Sequence, residues 1–403
     1  MSYTLVRHLR RLSTISYQIR WESTQTNLTE DLAVRPPFTQ WSKIIREAEK
    51  IVGYPTSFMN LRWLLSDEFS NMALYLRKLV GSNHPLLQTA KNVLYNEHNH
   101  LQPWGLIILL LSKSIKPTNT LQDTTTSENQ RVLAELTEMI RTGNLVHKGL
   151  INIPAEERLT LKDTALFGNK IAILIGDYLL VTANGMLARL KNQDLSYIIS
   201  TALRDLSEGE FYGDRDVQNM PLPSKPNLNS DRVDEYEITS SMLPIATADT
   251  QGYAIREWTV RALFSGGTLL GRGCQGAMLL GQQNTEAQES AYRFGCHLCL
   301  SWQAANELQK LTSTSQKDSY SLVSAPVLFA LNDNPKLYER IVEIRENREE
   351  LDFEHFKLDV LKTDAVERTR MLYEEHAKLA KSYVNSFGDN KSVNTIKTLI
   401  NIL

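Results

Sequence analysis

Apolar residues recur three and four positions apart along most of this chain, and that period constrains its fold more than any other feature. Trp41, Ile44, Ile45, Ala48 and Ile51 fall on one helical face, and Leu61, Leu64, Leu65, Phe69, Met72, Ala73, Leu76 and Leu79 continue the pattern. A repeat near 3.6 residues stacks side chains on one side of an α-helix, whereas a half-buried strand needs strict alternation. No stretch alternates with β-branched enrichment, so the expected class is all-α. Helical segments are expected to begin near Thr39, Pro85, Trp104, Glu128, Thr164, Asp194, Gln251, Thr285, Lys336 and Ala365. Polar stretches at residues 116–128, at 213–235 with its three prolines, and after Leu311 read as exposed loops with little that could pack. Neither a repeat nor a sharp change of composition divides the chain, so one helical domain over residues 38–403 is expected.

Several function classes are disfavoured. A net charge of −2 creates no field to gather nucleic acid. The apolar run "WGLIILLLS" from Trp104 is shorter than the ~20 residues a bilayer span requires, so it reads as a core helix and no transmembrane segment is expected. Three cysteines argue for a reducing compartment. Cys296-x-x-Cys299, with His297 inside it, lacks the second pair of a zinc site and reads as core thiols. Gly271-x-Gly273-x-x-Gly276 matches a dinucleotide fingerprint letter for letter. It lacks the preceding strand, however, and lies within a continuous apolar segment, so helix packing is expected there instead.

The N-terminus has a different character. Arg7, Arg10, Arg11 and Arg20 precede the first acidic residue, Glu22, and Leu5, Leu9, Leu12, Ile15 and Ile19 recur at helical spacing. A basic, acid-free amphipathic start fits a mitochondrial presequence, so residues 1–35 are set apart as presequence and flexible N-terminus, with the matrix as the expected location.

Four blocks carry a resemblance: the helix leading into "LVHKGLIN", then "GNKIAILIGDYLL" from Gly168, "LSEGEFYG" from Leu206 and "FGCHLCLSWQAANELQ" from Phe294. In this order and spacing they resemble the all-trans polyprenyl diphosphate synthases over roughly residues 43–309. That family implies an isoprenoid-synthase-type helical bundle around a central cavity. It also implies two Asp-Asp-x-x-Asp motifs whose carboxylates hold magnesium against a departing diphosphate. Here the first motif reads Lys148-Gly149-Leu150-Ile151-Asn152, with no acid left. The second reads Asn306-Glu307-Leu308-Gln309-Lys310, where Glu307 alone survives. Of the family's basic diphosphate clamps, only His84 and Pro85 echo the first and Arg158 remains of the second. Ser265 and Gly266 stand for a Lys-Thr pair, and Gly213 for a glutamine. Gly168, Asn169, Lys170, Gly176, Asp177, Gly209, Glu210, Gly295 and Gln303 are retained and read as packing and internal polar contacts.

Within the family the resemblance is to the degenerate second subunit of heteromeric decaprenyl or solanesyl diphosphate synthases. It extends to "EAEKIVGYPTSFMNLRWLLSDE" from Glu47. It implies a chain with no catalytic, cofactor-binding or metal-binding residue of its own. Such a chain pairs with a catalytic subunit 1, in a heterodimer or heterotetramer, and magnesium sits in that partner. Ubiquinone side-chain synthesis and peripheral association with the inner membrane are further implications. The family's dimers place association on the two helices after the first motif, here residues 164–212, with Leu187 as a representative apolar position. The alternatives are a divergent synthase that binds phosphate through Lys148 and Lys310, and an isoprenoid-binding or scaffold protein whose cavity is kept open by Gly143. Removal of residues 1–21 is expected to abolish mitochondrial import while leaving the far-ultraviolet circular dichroism per remaining residue unchanged; unaltered import of the truncated chain contradicts the presequence reading.

Overall fold

The computed structural model describes residues 40–54, 85–86, 103–115, 122–152, 164–227, 236–313, 320–347 and 351–401. Among them there is no strand, only an isolated antiparallel bridge between Arg215 and Pro221. The described helices are α1 (Gln40–Val52), α2 (Trp104–Ser114), α3 (Gln122–Lys148), α4 (Thr164–Arg189), α5 (Gln193–Glu208), α6 (Ala254–Ala262), α7 (Thr268–Leu280), α8 (Thr285–Thr312), α9 (Ala325–Asp333), α10 (Pro335–Asn347), α11 (Phe353–Leu361), α12 (Ala365–Asn385) and α13 (Lys391–Asn401). The all-α expectation holds, and these helices close one compact unit. The presequence, His84, Arg158 and most of the segment from Glu47 to Glu68 lie outside the described residues.

Helix α7 runs through the middle of this unit, with every residue from Thr268 to Met278 buried. A Cβ on Gly295 of α8 would come within 2.8 Å of the Gly271 Cα, and one on Gly276 within 2.6 Å of a Leu195 methyl. Glycine costs a helix about 1 kcal/mol relative to alanine. Here backbone-to-backbone approach, with the dispersion contacts it permits, offsets that cost. The dinucleotide-like motif is therefore a packing seam. Cys274, Cys296 and Cys299 are buried free thiols whose pKa values burial pushes up, Cys299 to about 12.

Four expectations need correction. Helix α3 begins at Gln122, inside the expected loop at 116–128, because Asp, Thr and Ser suit a helix's first turn as well as a loop. Helices α9, α11 and α13 were not foreseen: Ala325–Leu331 is buried on all sides and shows no period, and α11 spans only nine residues. The segment after α5 packs after all, with Leu222 7% exposed. Leu187 belongs to this chain's own core at 5% exposed, so it is not a surface position.

Helices α8 and α12 enclose a pair of imidazoles. The Nδ1 atoms of His297 and His376 lie 3.0 Å apart, so one ring donates and the other accepts, and both are neutral. Trp258 stacks on His376, Tyr383 stacks on His297, and Arg293 lies close by. Burial, then the Arg293 charge, lowers His297 to about 4; burial, then His297, lowers His376 to about 3. An unfolded histidine titrates near 6.5. Between pH 6.5 and about 4 the unfolded chain thus binds more protons than the folded one, and stability falls as pH falls through that window. His376→Gln should flatten this dependence by up to about 1.4 kcal/mol per pH unit, read from urea unfolding at pH 7 and pH 5.

Candidate functional site

Helix α3 stops where the family's first metal motif should lie. Lys148 is its last residue; the Gly149 N–H donates to the Val146 carbonyl at 3.1 Å, and the Leu150 N–H to that of His147 at 3.2 Å. Asn152 therefore lies beyond the helix, off the face that an i, i+4 ligand pair requires. Asn169 on α4 pins this exit by pairing with both the N–H and the carbonyl of Ile151, at 2.9 and 2.7 Å.

A cavity of about 1080 Å³ opens between this exit, α4, α5, α6 and α8. Lys148, Asn152 and Glu307 line it together with Trp258, Gln303 and Ser265, whereas Gly149, Asn306 and Lys310 are not among its lining residues. The two expected motif positions thus reach one cavity, through three side chains of six. Lys148 Nζ lies 3.6 Å from Glu210 Oε1, and Glu210 Oε2 lies 3.0 Å from Arg215 Nη2. Burial lowers the Lys148 pKa, and the attraction of Glu210 opposes that shift. The Asn152 amide donates to the Val217 carbonyl.

Glu307, the surviving acid, has both oxygens engaged. Oε1 accepts from Gln303 Nε2 at 2.6 Å; Oε2 accepts from the Trp258 indole N–H and the Ala325 N–H, each at 2.8 Å. Burial raises its pKa against the pull of these donors. A magnesium–diphosphate site needs several free carboxylates facing one another. The residues present do not fit one: an ammonium, an amide bound to backbone and a saturated carboxylate stand in their place.

The segment holding Ser265 and Gly266 is kinked. A π-turn at Leu263–Gly267 seats Gly266 against the Trp104 indole, where a Cβ would lie 2.5 Å from the ring. Gly213 has φ +74°, and a Cβ there would meet Arg261 Nη2 at 2.6 Å, so a glutamine does not fit. Arg261 pairs with Glu257 at 2.7 Å and donates to the carbonyls of Tyr212 and Leu222, tying the segment after α5 to α6. Neither Arg215 nor Arg261 was singled out from the sequence; only the charge-dense "YGDRD" hinted at the first. Gly143 does not open the cavity, because its Cβ position lies 3.2 Å from the Gly176 carbonyl and 3.3 Å from Leu180, where α3 and α4 meet.

One exposed face of α4 is unusual, although Ile173 on it also lines the cavity and Asp177 on it lies 3.3 Å from His147 Nε2. Leu166, Ile173, Leu174 and Val181 are 46%, 44%, 53% and 70% exposed, with Lys170 and Asp177 between them. Their spacing puts all six on one stripe. By length and composition Ala165–Arg189 could also cross a membrane, a candidate that the sequence reading did not foresee.

The polyprenyl synthetase family profile matches residues 104–239. All trans-polyprenyl-diphosphate synthase PDSS2 of Homo sapiens is 38% identical over 72% of this chain and 68% of its own length. The probable mitochondrial hexaprenyl pyrophosphate synthase of Neurospora crassa is 27% identical, covering 82% of this chain and 78% of that protein. Among solved structures, a polyprenyl synthase from Caulobacter crescentus, crystallised with calcium and isoprenyl diphosphate, superposes with a TM-score of 0.59 at 16% identity. It covers 91% of this chain and 98% of its own. An isoprenoid-synthase bundle, four sequence blocks in family order and 38% identity over two thirds of both chains agree: the chain belongs to the polyprenyl synthetase family.

Proposed function

We propose that this chain is the non-catalytic subunit of a heteromeric trans-polyprenyl diphosphate synthase. The complex extends an allylic primer with isopentenyl diphosphate, in the mitochondrial matrix, to supply the side chain of ubiquinone. The observation that carries this reading is Glu307: the last acid of both motifs is consumed by Trp258, Gln303 and Ala325. Magnesium belongs to the catalytic partner.

The stripe on α4 is the docking face for that partner. Lys170 and Asp177 sit within it, and a charge at mid-bilayer costs about 2.5–3.5 kcal/mol. A protein surface of the same fold can instead offer opposite charges among apolar side chains. The stripe's positions are also symmetric in chemistry: Leu166 and Val181, Lys170 and Asp177, and Ile173 and Leu174 are equidistant from the point between 173 and 174. A helix crossing antiparallel about a pseudo-twofold axis there would meet apolar with apolar and charge with countercharge.

Purified alone, the chain is expected to show no magnesium-dependent elongation, and the triple change Lys148→Asp, Gly149→Asp, Asn152→Asp should not create it. Turnover by the isolated wild-type chain, free of host synthase, contradicts this reading. Co-purification with the catalytic subunit tests the docking face. Leu174→Asp should lower affinity by about 3–5 kcal/mol by burying an unpaired carboxylate, abolishing pull-down and the partner's activity while the monomer stays folded. Leu187→Asp should unfold the chain itself. Intact complex with Leu174→Asp moves the interface elsewhere.

A further inference from the structure

The segment between α5 and residue 221 is built, and what it is tied to points to a role for the degenerate motif. Within it the Asp216 carboxylate accepts from the N–H groups of Gln218 and Met220 at 2.9 and 2.7 Å. The Asp216 N–H donates to the Met220 carbonyl at 2.9 Å, and the Leu222 N–H to that of Asp214 at 2.8 Å. Arg215 spans it from inside, donating to the carbonyls of Asn219 at 2.8 Å and Gly209 at 3.1 Å. Val217 and Met220, at its tip, are 84% and 56% exposed, so apolar burial does not hold the tip down.

The tip is held across the cavity by polar contacts to the end of α3. Glu210 lies between two cations, Lys148 from α3 and Arg215 from the loop, and the Asn152 amide reaches the carbonyl of Val217. We propose that Lys148 and Asn152, standing where the family resemblance places metal ligands, form a strap that holds residues 211–221 to the end of α3 across the cavity mouth. The chemistry is self-consistent. A carboxylate at position 148 would face Glu210 and require a cation between them; the lysine supplies that positive charge covalently. A rim tied in this way is held by side chains of the chain itself. The positions have not merely lost a function: they hold a conformation.

Hydrogen exchange of the full-length chain, followed by mass spectrometry with and without magnesium, tests the strap independently of any synthase activity. In the double variant Lys148→Ala, Asn152→Ala, amides of residues 211–221 should exchange about tenfold faster while those of α8 are unchanged. Lys148→Asp should loosen the same amides at least as much, and magnesium should not restore them. Unchanged exchange in the double variant overturns the proposal, as does magnesium-dependent closure in Lys148→Asp, which would mark a metal site. If the double variant exchanges faster everywhere, Glu210→Gln decides: it removes both ion pairs and keeps the shape. Fast exchange confined to the loop then supports the strap, and wild-type exchange refutes it.

Discussion

The contact between Gly271 on α7 and Gly295 on α8 sets the spacing on which the cavity depends. A Cβ on Gly295 would lie 2.8 Å from the Leu270 carbonyl as well as from the Gly271 Cα, so a side chain there must push the two helices apart. Two and three turns further along α8 are Gln303 and Glu307, whose hydrogen bonds to each other, Trp258 and Ala325 join α8 to α6 and α9. Trp258 also stacks on His376, which pairs with His297 back on α8. Helix α8 is thus locked on both sides by groups that cannot release it cheaply. A buried donor left unpaired costs about 1–3 kcal/mol. The saturation of Glu307 is consequently a property of the core as much as of the cavity.

The bundle was legible because most of its helices bury one face and leave a 3.6-residue period behind. Where a helix is apolar all round, the period disappears. That is why α9 went unseen, and why Leu187 could not be told from Val181: α4 carries apolar residues on its buried and its outer face alike, and only the fold shows that Val181 is 70% exposed and Leu187 5%. The glycine motif at 271–276 was readable as packing because a nucleotide site needs a strand that the pattern lacked. The polar partners were not readable. Glu307 meets Trp258 and Ala325 from 49 and 18 residues away, and the acceptors of Arg261 are backbone carbonyls placed by the tertiary fold.

Charge around the cavity follows a simple rule. Glu210, Glu257 and Glu307 each have hydrogen-bonding or ionic partners within the chain, from Lys148 and Arg215, from Arg261, and from neutral donors respectively. A metal site leaves carboxylates unsatisfied so that an ion can complete them; here the side chains complete one another. The pairs of Glu210 with Lys148 and Arg215 are partly exposed, and each contributes about 0–1 kcal/mol in isolation, whereas the Arg261–Glu257 pair is largely buried. Their joint effect lies in geometry: the end of α3, the segment after α5 and α6 are tied to one another at the cavity.

Closing the cavity from within changes what the rest of the molecule can be for. With residues 211–221 tied to α3 by the strap, the apolar stripe of α4 is a surface still open to a partner. Water does not favour that stripe, since exposing contiguous aliphatic groups forfeits about 25 cal/mol per Å². A lipid bilayer does not favour it either, because Lys170 and Asp177 would be carried into hydrocarbon along with Ile173 and Leu174. Exposure of that kind is relieved by a protein surface that is apolar where the stripe is apolar and opposite in charge at two points seven residues apart. Glu210, Glu257 and Glu307 around the cavity are satisfied within the chain while the aliphatic groups of this stripe are left to solvent, so the stripe is where the proposed partner gains most by docking.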